Sequence, residues 1–163
     1  MTAEQDVAGK ARKARLRRLE RIFVPVPIYF VTANATNRVP ILAIPRIHSS
    51  FLEFAQLGED HGAFAGAYVL MPDHIHLFLA LYPERTLSAW MKSLKNSLSK
   101  TLRNLNIPAP HRQKGFFDHV LRSAESYAQK WEYVRDNPVR AGLVRAWQEW
   151  PFSGEVQALE YRK

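Results

Sequence analysis

A chain of 163 residues holds one globular domain with a real hydrophobic core and little room for a second. Its 23 Lys and Arg against 15 Asp and Glu give a formal charge of +8, a balance suited to a polyanionic partner, while 47% hydrophobic residues argue against wholesale disorder. The absence of cysteine excludes disulfides, thiolate zinc sites and cysteine nucleophiles, and it fits a reducing cytoplasm.

In chain order, residues 1–21 stand out as a basic N-terminal arm, with Lys10, Arg12, Lys13, Arg15, Arg17, Arg18 and Arg21 among a few alanines and leucines. The arm reads equally as a solvated tail or as a DNA-contacting segment. Residues 22–163 are expected to form a single catalytic-type domain. The apolar stretch from Ile22 to Val31 is broken by Pro25 and Pro27, so neither a membrane span nor a cleaved signal is expected. Ile28 to Ala33, rich in β-branched and aromatic residues, predicts a first strand. Ile47, Phe51, Phe54 and Leu57 recur at helical spacing and predict a first helix over 47–57, after which Gly58 to Gly66 breaks the pattern. Ala67 to Met71 and Ile75 to Leu81 are apolar runs separated by Pro72-Asp73, a pair of strands about a tight turn.

From Leu87 the positions Leu87, Met91, Leu94, Leu98, Leu102 and Leu105 recur every three or four residues, predicting a helix capped by Thr86 and ended by Pro108 and Pro110. Phe116 to Arg122 predicts a fourth strand. Ala124 to Asn137 predicts a helix started by Ser123, with Ser126 as a competing cap, and stopped by Pro138. The order β, α, β, β, α, β, α implies an α+β fold: a ferredoxin-like sandwich, with helices on one face of an antiparallel sheet plus a C-terminal helix.

His74-Ile75-His76 lies in a predicted strand, so both imidazoles project to one face while Ile75 and Leu77 project to the other. Two such histidines can share a divalent metal, Mg²⁺ or more comfortably Mn²⁺, although the spacing by itself also describes a metal-free pair. The stretch Tyr68 to Phe78, reading YVLMPDHIHLF, resembles the signature of the HUH endonucleases, in particular the REP-associated branch of the single-tyrosine transposases. Phe117 to Arg122, Tyr133 to Val144 and Trp150 to Ser153 are similar to later blocks of that branch. The resemblance runs from about Tyr29 to Ser153. It implies a metal-dependent single-stranded DNA endonuclease and strand transferase that forms a 5′-phosphotyrosine link. By motif position Tyr133 is the nucleophile and His74 and His76 are metal ligands, with hairpin or REP-type DNA as the partner and a monomer or homodimer as the assembly.

Asn137, four residues after Tyr133, falls on the same face of a continuous helix, and its amide oxygen is a hard donor suited to complete the metal set. Tyr127 is the rival nucleophile, six residues earlier and off that face. His119 is a further candidate for the metal site; Asp118 should face the other way, and Asp73 reads equally as a turn residue. Lys92, Lys95, Arg103, Arg135, Arg140 and Arg145 are candidate DNA contacts, against the alternative of solvated helix faces. Trp131, Trp147 and Trp150 fit base stacking or core packing. Metal-dependent barrel hydrolases that also use His-x-His need about 250 residues, and Phe78 stands where a histidine-triad hydrolase needs its third histidine. The competing reading from another class is a DNA-hairpin-binding module with a domesticated regulatory role and no catalysis.

Overall fold

In the strand His74–Leu81 successive side chains alternate between two different layers, and the fold is built around that alternation. A computed structural model describes residues 21–24 and 28–161. The strands are β1 (Arg21–Val24), β2 (Ile28–Asn34), β3 (Ala63–Leu70), β4 (His74–Leu81), β5 (Phe117–Leu121), β6 (Ser153–Glu155) and β7 (Ala158–Tyr161), and the helices are α1 (Pro45–Gly58), α2 (Leu87–Asn104), α3 (Ala124–Arg135) and α4 (Asn137–Arg140). The main sheet has the order β5-β2-β4-β3-β6 and is antiparallel throughout. Its first four strands with α1 and α2 make the expected ferredoxin-like sandwich. A separate parallel pair joins β1 to β7. The proposed basic arm lies outside the described residues except for Arg21, whose backbone opens β1.

Ile75, Leu77, Leu79 and Leu81 of β4 pack with Val31 and Ala33 against Ile47 and Phe51 of α1 and Met91, Leu94, Leu98 and Leu102 of α2. Apolar residues at three- and four-residue spacing put one stripe of each helix on the sheet. Thr86 caps α2 as its sequence implies, its Oγ1 accepting from Ala89 N at 3.2 Å. The opposite face of the sheet carries Ile28, Phe78, Ala80 and Leu121, covered by Tyr127 and Trp131 of α3. The C-terminal helix thus forms a third layer, on the face that also carries His74 and His76. Among the described residues no helix is long and apolar enough to cross a membrane.

Two of the departures from the expected boundaries bear on the site. Strand β3 begins at Ala63, four residues before the predicted Ala67, because Ala63, Ala65, Gly66 and Ala67 are small and the strand is buried on both faces, so no alternation marks it. Helix α3 ends at Arg135 rather than Asn137, and Pro138 does not stop the helical path. It sits in the first turn of α4, where its missing N–H costs nothing. Tyr133 and Asn137 therefore belong to two consecutive helices rather than one.

Strand β3 shifts register against β4 between Ala65 and Tyr68. At Gly66 in this shift a Cβ would meet Leu159 Cδ1 at 2.8 Å and Tyr127 Oη at 2.9 Å, so only glycine lets α3 approach the sheet so closely. Further along, Trp150 Nε1 donates to Leu70 O (3.0 Å) and Leu70 N donates to Phe152 O (2.8 Å), which ties the segment after α4 to the end of β3.

Candidate active site

His74 and His76 share a face of β4, with ring centroids 4.7 Å apart and planes at 83°. Each is held from behind. Asp73 Oδ1 lies 2.7 Å from His74 Nδ1, so Nδ1 donates to the carboxylate and Nε2 is the ring nitrogen that Asp73 does not engage. Thr32 Oγ1, directly opposite His76 across β2 and β4, lies 2.9 Å from His76 Nδ1; in the tautomer in which Thr32 accepts, Nε2 would be left free in the same way. The Phe30 ring stacks on His76 at 5.4 Å. Burial, reinforced by the charges of His74, Lys130, Arg38 and Arg140, pushes the His76 imidazole down to about 3, so it stays neutral. A neutral imidazole with one nitrogen pinned and the other presented is the state a metal needs. Among the described residues no three His, Cys, Asp or Glu side chains gather at metal-binding spacing.

Arg38 supports the pair from the loop after β2. Asn37 and Arg38 adopt positive φ (51° and 56°), which turns the chain back on itself. The guanidinium then donates to Asp73 Oδ2 (2.7 Å) and Asn34 Oδ1 (2.9 Å). Burial opposes ionisation of Asp73, but hydrogen bonds with His74 and Arg38 outweigh it and hold the carboxyl below its usual range. Asp73 is therefore more than a turn residue. Thr32 and Arg38 carry no mark in the sequence that singles them out. Thr32 becomes findable once β2 is paired with β4, whereas Arg38 depends on a left-handed turn that no local pattern announces.

Tyr133, on α3, is 63% exposed. Arg140 of α4 spreads over its ring, 4.0 Å from the centroid, while donating to Tyr133 O at 2.6 Å and to Asn137 Oδ1. The Asn137 amide oxygen is thus held by Arg140 rather than standing free. Tyr127 differs in every respect. It is packed on Phe78 at 4.6 Å, its Oη accepts from Ala67 N at 3.2 Å, and burial pushes its phenol well above the usual range. His119 faces the α3 side, paired with Phe30, and lines an open cavity of about 430 Å³ together with Leu121, Ser126, Gln129, Lys130 and Tyr133.

The remaining basic candidates divide. Arg135 lies over the Trp147 ring at 4.6 Å, and Arg145 is exposed beyond α4. Lys92, Lys95 and Arg103 belong to α2, on the opposite layer. Lys95 donates to Gln113 O (3.2 Å) and Gly115 O, so it holds the loop before β5. Of the tryptophans, Trp131 packs on Phe78, Trp147 carries Arg135 and Trp150 anchors to Leu70.

This arrangement has relatives. The chain is 26% identical over 135 residues to a REP-associated tyrosine transposase of Escherichia coli strain K12, covering 82% of this chain and 79% of that protein. A Haemophilus influenzae protein provisionally given the same description is 28% identical over 145 residues, covering 82% of each. The solved structure of a REP-associated tyrosine transposase bound to a REP hairpin superimposes with a TM-score of 0.65 at 24% identity, over 83% of this chain and 81% of the other, and so shares the fold. The family model for IS200-like transposases matches residues 31–134, a span that holds the histidine pair, its Thr32 and Asp73 supports and Tyr133, and the chain belongs to that family.

Proposed function

We propose that this transposase cuts and rejoins single-stranded DNA beside hairpins of the REP type, with Tyr133 as nucleophile and a divalent metal, Mg²⁺ or Mn²⁺, held by His74 and His76. The observation that carries the reading is the contrast on the α3 face: an exposed phenol at Tyr133 and two imidazoles whose Nδ1 atoms are fixed by Asp73 and Thr32. The hairpin partner is taken from the relative bound to a REP hairpin and from the chain's charge of +8. When bound, the metal polarises the phosphate oxygens and offsets charge that gathers in the transition state.

The chain's own groups supply the rest. A phenol attacks phosphorus only as its proton leaves; the Tyr133 Oη–P bond forms as the P–O3′ bond breaks, and the departing 3′-oxygen takes up a proton. The DNA then carries a free 3′-hydroxyl and a 5′-phosphotyrosine, and a second 3′-hydroxyl can reverse the exchange without a nucleotide cofactor. The guanidinium of Arg140, resting on the Tyr133 ring, would receive a phosphate of the bound strand. Were Arg140 drawn to the DNA, Asn137 Oδ1, which it now holds, would be free to serve as a third donor.

The test is incubation of the protein with a single-stranded hairpin oligonucleotide and Mg²⁺ or Mn²⁺, followed by a denaturing gel. A covalent protein–DNA adduct that disappears in chelator is expected. Hairpin binding without any adduct in either metal would leave the regulatory binding module as the correct account.

A further inference from the structure

Strand β5 is one edge of the sheet, and its outward row on the α3 side is unusual for what it exposes. Leu121 of that row is buried under α3, and alternation places His119 and Phe117 on the same face. Phe117 is 67% exposed. It pairs with Thr32, which pairs in turn with His76, so Phe117, Thr32 and His76 form one row across three strands. At the usual strand spacing the Cα atoms of Phe117 and His76 lie about 10 Å apart, a separation that one or two nucleotides bridge. The next row is His119, Phe30 and Phe78, and Lys130 of α3 stands over the Phe30 ring at 5.0 Å. His119 and Lys130 both line the open cavity that ends at Tyr133.

We propose that this trough and the Phe117 ring form a nucleotide subsite for single-stranded DNA, in which one base stacks on Phe117 and the adjoining phosphate lies between His119 and Lys130. The proposal rests on Tyr133 and the histidine pair being the cutting centre, since their position is what makes the stacked nucleotide a neighbour of the scissile phosphate. An exposed aromatic face with a cation in the next row, as Lys130 over Phe30 supplies here, is a general device for holding an unpaired base irrespective of its identity. A second copy of the chain is the other conceivable occupant of an edge strand. The surroundings disfavour it: β5 is five residues long and carries Asp118, and the ring is flanked by His119 and Thr32 rather than by a broad apolar patch. Such a subsite gives the enzyme a grip on the flank of the hairpin that the stem itself does not provide.

The experiment measures affinities of the full-length protein in chelator, so that no cutting intervenes. The probes are a bare hairpin, the same hairpin with a single-stranded flank, and a series with one abasic position stepped along that flank. Phe117→Ala should weaken binding to the flanked hairpin by roughly 5- to 150-fold, leave the bare hairpin unchanged, and be rescued by Phe117→Trp. One abasic position within two nucleotides of the mapped cut should cost the wild type a similar factor and cost Phe117→Ala nothing more. Lys130→Ala should flatten the salt dependence by roughly 0.7 in log K per log salt. Equal losses on bare and flanked hairpins, additivity at every abasic position, coupling only at distant positions, or a dimer that Phe117→Ala dissociates would each overturn the proposal. Tyr133→Phe separates the two ideas. If its adduct persists, the cutting reading falls whatever the abasic series shows, whereas loss of the adduct alongside a fully additive series removes only the subsite.

Discussion

Tyr127 and Tyr133 lie six residues apart on α3, about 120° around its axis, and this angle separates a packed phenol from an exposed one. Tyr127→Phe should leave Ala67 N without its acceptor and destabilise the fold by about 1–3 kcal/mol in chemical denaturation, yet still form the DNA adduct. Tyr133→Phe removes only an exposed hydroxyl, so folding and hairpin binding should match the wild type while the adduct is lost; exchanged phenotypes would reassign the nucleophile. His76 makes a pH-dependent prediction for the metal-free protein. Its folded-state imidazole, near 3, is depressed below the unfolded value of about 6.5. Its contribution to stability is therefore complete above about pH 6.5 and is lost as pH falls toward 3. Denaturation of the wild type and of His76→Gln across pH 4–8 in chelator should show the wild type losing ground to the variant as acid is added.

At the scale of elements, strict periodicity is the readable signal. The Leu87-to-Leu105 stripe marks α2 with its Thr86 cap, and the Pro72-Asp73 turn locates the β3–β4 hairpin that carries the histidines. Small residues hide the start of β3, and the pairings of β1, β6 and β7 are invisible because three- and four-residue strands carry no period of their own. In the candidate site, the shared face of His74 and His76 is legible from motif and alternation. The residues that work from behind, Thr32 and Arg38, depend on strand register and a left-handed turn, which are tertiary facts. The segment after α4 is another such fact, anchored by the Trp150 indole on Leu70 O. Trp150→Phe should cost about 1–2 kcal/mol and speed hydrogen exchange at Leu70 N, which pairs with Phe152 O; unaltered exchange there would show that the indole is not what holds the segment down.

For the whole molecule, charge and layering act on different observables. Deleting residues 1–20, which spares Arg21 in β1, should weaken binding to matched and mismatched hairpins alike. It should flatten log K against log salt by roughly 0.7 for each single-strand phosphate that the arm no longer neutralises, with cutting preserved at saturating protein. An unchanged slope makes the arm a solvated tail. The three layers raise a separate matter of clearance. His74 and His76 are fixed to the sheet, Tyr133 rides on α3, and the gap between those two bodies is set near Gly66, where Tyr127 Oη and Leu159 occupy the room a methyl group would take. One hydrogen atom in place of a methyl acts as a shim between the proposed nucleophile and the histidine pair. Gly66→Ala must displace the Leu159 side chain and the Tyr127 hydroxyl, and through Tyr127 it shifts α3; displacement of a reacting group by about 1 Å can cost on the order of 100-fold in rate. Adduct formation by Gly66→Ala should accordingly slow far more than hairpin affinity declines, and a shortened or reshaped residue at Tyr127 or Leu159 should recover part of the lost rate by letting the helix settle back.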